Sequence, residues 1–102
     1  MSRLSRQTAV AGLRAARRLH EGERPTNADL AVAPLLEGWA LEEVAPGLFR
    51  LVGVVTGHPL LADGWCSTSV LLFIDADRTW ARTVSRLYRL GMPLAGEQVT
   101  PQ

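Results

Sequence analysis

The 102-residue sequence contains no lysine, only one cysteine and only two histidines. Cys66 has no possible partner in the chain, which excludes an internal disulfide framework and indicates a reducing compartment. Together with His20 and His58, it supplies too few ligands at too irregular a spacing for a zinc site. A glycine-rich phosphate loop is also missing, because Gly91 and Gly96 stand alone. We therefore expect neither a bound metal nor a cofactor.

Long apolar runs are absent as well. None approaches the ~18 residues that a membrane-spanning helix requires, so we expect no membrane contact. With 47% hydrophobic and 21% charged residues, the composition is typical of one globular domain and not of a disordered or fibrous chain. Every basic residue is an arginine, which is typical of a GC-rich genome, and we predict a bacterial cytoplasmic protein.

Charge is segregated along the chain, although the formal net charge is only +1. Residues 1–20 contain no acid but several arginines, which are Arg3, Arg6, Arg14, Arg17 and Arg18. Residues 78–91 also lack an acid and contain Arg78, Arg82, Arg86 and Arg89. Almost all the carboxylates fall in residues 21–77. The chain is therefore basic at both ends and acidic in the middle.

Residues 1–22 are predicted to form an amphipathic helix. Small apolar residues recur at helical spacing from Leu4 to Leu19, and the arginines fall within about 120° of arc on the opposite face. Gly22 is placed to end the helix, because glycine adopts the left-handed conformation that terminates helices. Since the apolar stripe is mostly alanine, we expect this helix to pack closely while burying little area.

The connector at residues 23–38 is predicted to form two short helical turns. Thr26 or Asn27 can cap the first turn. Pro34 separates the two turns, because proline cannot continue a helix, and Gly38 ends the second.

Residues 39–91 are predicted to form an antiparallel sheet, followed by a polar tail at residues 92–102. The segment from Leu48 to Thr56 is apolar on both faces except for an arginine. This pattern is typical of a central strand. We therefore expect Val52 and Val54 to be buried.

The segment 79–90 admits two predictions. Its hydrophobic periodicity favours a helix, with aromatic and aliphatic residues on one face and arginines on another. Its β-branched and aromatic residues, and the short turn before it, favour a strand. In the strand, alternation would bring one set of residues to a common face: Trp80, Arg82, Val84, Arg86 and Tyr88.

Three segments of the second half carry a resemblance: GHPLLADG at 57–64, STS at 67–69 and WARTVSRLYRLGMP at 80–93. They resemble a family of short, uncharacterised proteins from alphaproteobacteria and their mobile elements, whose members share a GHP…DG…TS…ART.SR.YRLG pattern. The order of turns and strands in that family implies an antiparallel meander, so we choose the strand for 79–90. The predicted fold is α+β, with the N-terminal amphipathic helix packed on a small four-stranded antiparallel meander.

Cys66, His58 and Asp63 are the candidate catalytic residues, since a thiol, an imidazole and a carboxylate can form a nucleophilic relay. Their spacing matches no nucleophile motif, and no oxyanion-hole glycine pattern adjoins Cys66. The alternative is a buried cysteine, a histidine that fixes its loop and an aspartate in a turn. We prefer this alternative and predict that the protein is not an enzyme.

Arginine and aromatic residues interleave in the predicted last strand. The predicted partner-binding residues are Trp80, Arg82, Arg86, Tyr88 and Arg89. A secondary basic face is predicted on the helix at Arg3, Arg6, Arg14, Arg17 and Arg18. Such pairs suit a protein interface and equally suit phosphates with stacked bases. The alternative is that the aromatics are core and the arginines lie in solvent, paired with the acidic middle.

The function that these observations favour is that of a small non-catalytic interaction protein, which docks on a protein or nucleoprotein partner. The mobile-element resemblance makes an inhibitor of host defence, such as an anti-CRISPR protein, an instance of this class. A nucleic-acid-binding regulator is the alternative, but such domains usually have a pI above about 9, and this chain has a sequence pI of about 8.0. A thiol-dependent enzyme comes third.

Overall fold

The computed structural model describes residues 5–94, which form two helices and five strands. In chain order these are α1 (Arg6–His20), α2 (Asn27–Val32), β1 (Leu35–Ala45), β2 (Leu48–Thr56), β3 (Gly64–Ile74), β4 (Trp80–Thr83) and β5 (Leu87–Leu90). The strands form one closed barrel. Helix α1 lies against β3 and β4, and α2 lies against β5.

The barrel is an up-and-down meander that closes on itself. Each strand pairs antiparallel with the next, from β1–β2 to β4–β5. Because five strands alternate in direction, the first and last run the same way, and closure requires a parallel pair. β5 supplies it, with Leu35 opposite Arg89 and Leu36 opposite Leu90. The predicted four-stranded antiparallel meander is therefore wrong, whereas the prediction that a helix packs on the sheet is confirmed.

The additional strand arises because residues 79–90 form two short strands joined by a tight turn. The hydroxyl of Thr83, which is fully buried, holds this turn by donating to the Arg86 carbonyl at 3.1 Å and accepting from the Arg86 N–H at 3.3 Å. On the other side, the Ser85 N–H donates to the Ser69 hydroxyl at 3.1 Å. The choice of strand for this segment is correct, but one continuous strand is not.

The connector differs from its prediction after its first turn. Thr26 caps α2 in a capping box, in which the Thr26 hydroxyl accepts from the Asp29 N–H and the Asp29 carboxylate accepts from the Thr26 N–H, both at 3.0 Å. The second helical turn does not form, because Leu35 and Leu36 already belong to β1. Their partners in β2 and β5 outweigh the local helical pattern.

The barrel interior is the hydrophobic core. Its fully buried members include Leu36, Leu51, Val55 and Trp39, whose indole N–H donates to the Gly91 carbonyl at 2.9 Å. Strand β2 forms over the predicted residues and pairs with β1 and β3, but a closed barrel has no central strand, because every strand has two neighbours. The expected burial of Val52 and Val54 is wrong, because the alternation places Leu51, Gly53 and Val55 inside.

Helix α1 docks on the barrel through small residues. Its buried residues are Gly12, Ala16 and Leu19. At Gly12 the helix backbone lies so close to the β4–β5 turn that an added Cβ would overlap the Val84 carbonyl oxygen. The close packing expected from the alanine-rich stripe therefore depends on a glycine, which lets two backbones approach each other directly.

The register of β2 can be tested with two neighbouring valines. Val55→Ala should lower the free energy of unfolding by about 1–3 kcal/mol, since a fully buried side chain leaves a cavity. Val54→Ala is the matched control, because the Val54 side chain lies outside the barrel and is 44% exposed. It should change stability by less than about 0.5 kcal/mol. Urea denaturation measures both, and equal losses would contradict the observed register.

Candidate functional site

An open cleft of about 540 Å³ lies between the two helices and the β4–β5 turn. Four arginines line it: Arg18 from α1, Arg24 from the connector, Arg82 from β4 and Arg86 from the turn. The remaining wall is mostly apolar and is formed by small aliphatic residues and prolines. We call this feature the arginine cleft.

Arg82 is the most constrained of the four arginines. Its Nε–H donates to the Thr83 carbonyl at 2.9 Å, and its Nη2 donates to the Val84 carbonyl at 3.4 Å. These bonds fix the guanidinium on the outer face of β4, where it is half-buried. Burial, followed by the positive charges of Arg18 and Arg86, lowers the pKa of Arg82. Like charges therefore meet in the cleft.

Arg18 and Arg86 are the two positively charged residues whose charges act on Arg82. Arg86 lies in the β4–β5 turn and is close enough to His58 that its charge, after burial, contributes to lowering the pKa of that imidazole. Arg18 forms an ion pair with Glu23 at 3.4 Å, with both side chains more than half exposed. Within residues 5–94, no carboxylate forms an ion pair with Arg82 or Arg86.

Arg24 has a structural part in the same cleft. Its Nη1 donates to the Leu19 carbonyl at 3.1 Å and to the Glu23 carbonyl at 2.7 Å. Its guanidinium also lies over the Phe73 ring, 5.3 Å from the centroid. These contacts close the connector over the end of α1, so Arg24 contributes charge to the cleft while serving as part of its wall.

Two carboxylates also line the cleft. Glu23 pairs with Arg18, and Asp29 caps α2. The backbone and hydroxyl hydrogen bonds from Thr26 lower the pKa of Asp29, so its charge persists at the cleft wall. Since four arginines face two acids, the cleft is cationic, and its excess charge lies around Arg82 and Arg86.

The predicted partner-binding residues do not share one face. Trp80 is buried on the outside of β4 and stacks on Phe73 with 5.5 Å between ring centroids. Tyr88 points into the barrel, and Arg89 donates from Nε to the Ala33 carbonyl at 3.0 Å. Only Arg82 and Arg86 of the set meet in the cleft. The turn at residues 84–86 interrupts the alternation expected of one continuous strand. Tyr88 is therefore paired with Ala81 and lies in the core with it, not on the outer face with Arg82.

The secondary basic face is formed by α1. Arg6, Arg14 and Arg17 are exposed, and Arg17 pairs with Glu21 at 3.2 Å one helical turn later. Arg18, from the same set, points toward the cleft, whereas Arg3 lies outside the described residues. The basic surface of α1 therefore continues into the arginine cleft through Arg18.

The three residues of the considered thiol relay each have a separate structural part. Cys66 is buried in the barrel core, and burial raises the pKa of its thiol. Asp63 accepts from the Gly57 N–H at 3.1 Å and closes the loop between β2 and β3. His58 accepts at Nδ1 from the Leu60 N–H at 2.9 Å. Within residues 5–94, no three His, Cys, Asp or Glu side chains are grouped to hold a metal ion.

Two contributors to the cleft escaped the sequence analysis. Arg24 stands alone among acids and shows no pattern by itself, although a following proline marks the connector that positions it. Gly12 lies within the predicted helix, but the predicted apolar stripe did not include it. The position of Gly12 in the interior of a predicted helix could have identified it. Glycine there costs about 1 kcal/mol relative to alanine, which suggests that close packing requires it.

The fold and the cleft together define a small five-stranded barrel protein with an open cationic cleft between its helices and the β4–β5 turn. The chain belongs to a family of unknown function, DUF6634, whose model matches residues 2–98. The resemblance to an uncharacterised family is confirmed in this form, and the match also includes α1. No solved structure matches the chain. In the described part of the chain, neither helix has the length and apolar character needed to cross a membrane.

The close approach of α1 to the barrel gives a direct test of how the cleft is built. Gly12→Ala should destabilise the protein by about 1–3 kcal/mol, because the new methyl group overlaps the Val84 carbonyl. Helix propensity alone predicts the opposite, a gain of about 1 kcal/mol. The exposed Ala11 offers the control, since Ala11→Gly should cost only about 1 kcal/mol through propensity. Stabilisation by Gly12→Ala in thermal unfolding would contradict the docking geometry.

The state of Cys66 can be tested by alkylation. Because burial raises its pKa in the folded protein, the thiolate form should be scarcer at pH 7.5 than in the unfolded chain, and iodoacetamide should react more slowly. Stability tied to the neutral thiol should be present at low pH and be lost as pH rises toward the raised pKa. Mass spectrometry with and without denaturant measures the rates, with Cys66→Ser as the blank. Equal rates would identify an accessible, reactive thiol.

Proposed function

We propose that this chain is a small non-catalytic interaction protein that docks on a protein or nucleoprotein partner through its arginine cleft. The observation that carries this proposal is the meeting of Arg18, Arg82 and Arg86, which come from different elements, in one cleft. Among the described residues, no carboxylate forms an ion pair with Arg82 or Arg86. The docking surface of this proposal is the arginine cleft itself.

The cluster of like charges around Arg82 favours an anionic partner on electrostatic grounds. Bringing three guanidinium groups together, one of them half-buried, costs free energy in the unbound protein, since burial and repulsion both act against the charged form. A carboxylate or phosphate placed among them would offset that cost. Charge-assisted hydrogen bonds from guanidinium are also among the strongest in proteins.

A protein partner is favoured over nucleic acid by the position of the aromatic residues. Trp80 is covered by its neighbours, and Tyr88 lies inside the barrel, so neither offers a ring on which a base could stack beside the arginines. The cleft wall also carries Glu23 and Asp29, which would repel a continuous phosphate backbone. The low net charge points in the same direction.

Nucleic-acid binding remains the second candidate function because of α1. Arg6, Arg14 and Arg17 are exposed on this helix, in a row suited to phosphate contacts that require no base reading. The prediction of a mobile-element inhibitor of host defence, such as an anti-CRISPR protein, is a more specific form of the leading proposal. We likewise propose the bacterial cytoplasm as the location of the protein.

The decisive variant should remove charge without disturbing the fold. Arg82 holds two backbone carbonyls, so the double variant Arg82→Gln, Arg86→Gln is preferable to charge reversal, since glutamine retains N–H donors. The matched control is Arg6→Gln, Arg50→Gln, which removes the same charge at exposed or half-exposed positions away from the cleft. Circular dichroism and the melting temperature check that both variants retain the parent's fold before binding is compared.

The expected result is selective loss of partner binding. A partner captured from nuclease-treated host lysate is purified, and its affinity for the parent and both variants is measured by calorimetry. The cleft variant should bind about 30-fold more weakly or worse, equivalent to about 2 kcal/mol, while the control stays close to the parent. Equal binding by all three would place docking elsewhere. Capture that disappears with nuclease, and a steep fall in affinity with salt, would instead support nucleic-acid binding.

A further inference from the structure

We propose that the arginine cleft is a binding site for a single phosphate monoester group. This deepens the proposed function, because it rests on the same cleft and names the chemistry that the cleft receives. The inference is drawn from the arrangement of three guanidinium groups, from the acids beside them and from the apolar remainder of the wall.

The geometry provides several donors around one space. Arg18, Arg82 and Arg86 all line the same cavity of about 540 Å³, a volume within the range of small-ligand pockets. Arg82 is held in place by its bonds to the Thr83 and Val84 carbonyls, and its other N–H groups are not used by those bonds. A fixed guanidinium loses little conformational entropy when it binds an anion.

The number of arginines favours phosphate over carboxylate. A carboxylate carries one charge on two oxygens, and one bidentate guanidinium matches both its charge and its two oxygens. A phosphate monoester carries about −1.5 to −2 charges at pH 7 and has three acceptor oxygens, so it can accept from several guanidinium groups at once. Arg82 and Arg86 have no ion pair among the described residues, and Arg18, which pairs with Glu23, lies beside them. This set of donors therefore matches a phosphate better than a carboxylate.

The acids favour a terminal phosphate over a phosphate chain. Glu23 and Asp29 lie in the wall of the cleft, and both are held there, by Arg18 and by the α2 cap respectively. A polynucleotide carries a further phosphate at each nucleotide and would bring these toward the two carboxylates. A monoester places its whole charge among the arginines and presents an uncharged body to the rest of the wall.

The rest of the wall suits such a body. Ala15, Leu19, Pro34 and Leu87 line the cleft beside the arginines, so an alkyl or aryl group bonded to the phosphate would contact apolar surface. The phosphate can belong to a small phosphorylated metabolite or to a phosphorylated side chain of the docked partner. The chemistry is the same in both cases.

The test uses phenyl phosphate as the probe and the full chain in a phosphate-free buffer. Isothermal titration calorimetry should show saturable binding with a Kd of about 1 mM or tighter, and benzoate should bind at least about 10-fold more weakly. The variant Arg18→Gln, Arg86→Gln should lose at least about 10-fold in affinity. The control Arg14→Gln, Arg50→Gln also removes one arginine from α1 and one from the barrel, and it should stay within about twofold of the parent.

Three results would overturn the inference. Absence of saturable phenyl phosphate binding by the parent would show that there is no phosphate site. Equal binding of benzoate would show a general anion site without preference for phosphate. Equal losses in the cleft and control variants would show a diffuse charge effect. Arg82 is left intact because it bonds to the turn. If the cleft variant fails to fold, the NMR shift of the Arg82 Nε–H on titration of the parent gives the answer, since a bound phosphate must perturb it.

A second arm separates the two sources of phosphate. A phosphoserine peptide that binds at least about 10-fold more tightly than phenyl phosphate would assign the site to a phosphorylated partner, and weaker binding would assign it to a small molecule. Failure of this inference is distinguishable from failure of the proposed function. The phosphate titration contains no partner, and partner binding is measured without added phosphate, so each result stands alone.

Discussion

The parallel pairing of β5 with β1 is the contact on which the other features depend. Besides the short ladder itself, the Arg89 N–H donates to the Pro34 carbonyl at 2.8 Å, and the Gly91 N–H donates to the Leu36 carbonyl at 2.9 Å. Without this closure, the two ends of the sheet would leave Leu36 and Leu90 without a common interior. The same pairing brings the connector beside the β4–β5 turn. The contact that closes the barrel therefore also forms the cleft.

The cleft combines parts of the chain that are far apart in sequence. Arg18 comes from the N-terminal helix and Arg82 and Arg86 from the last hairpin, while the acidic middle of the chain mostly occupies other surfaces, as in the Arg50–Glu42 ion pair on the outside of β1 and β2. The segregation of charge in the sequence is therefore preserved in the fold. It concentrates positive charge at a place where hydrogen bonds to backbone carbonyls hold Arg24 and Arg82, while Arg18 pairs with Glu23.

Sequence patterns predicted the elements that local signals dominate. The N-terminal helix and the strand at Leu48–Thr56 follow from periodicity, and the Thr26 cap from side-chain chemistry. Barrel closure was not predictable in this way, because it depends on a parallel pair between residues far apart in the chain. The hydroxyl-held turn at Thr83 was missed for a similar reason, since Ser69, which fixes it, lies in another strand. Of the predicted partner-binding residues, Arg82 and Arg86 meet in the cleft, whereas Trp80 and Tyr88 do not line it.

The contact between Gly12 and Val84 has a consequence for how relatives can diverge. It joins one backbone to another, so the side chain at position 84 contributes little to it, whereas any side chain at position 12 enters it directly. Substitution is therefore constrained at position 12 and not at position 84. A relative that carries a larger residue at position 12 must seat its first helix farther from the hairpin. Such a relative would also carry the helix-borne Arg18 away from Arg82 and Arg86, so the shape of the arginine cleft would change even if every arginine were retained.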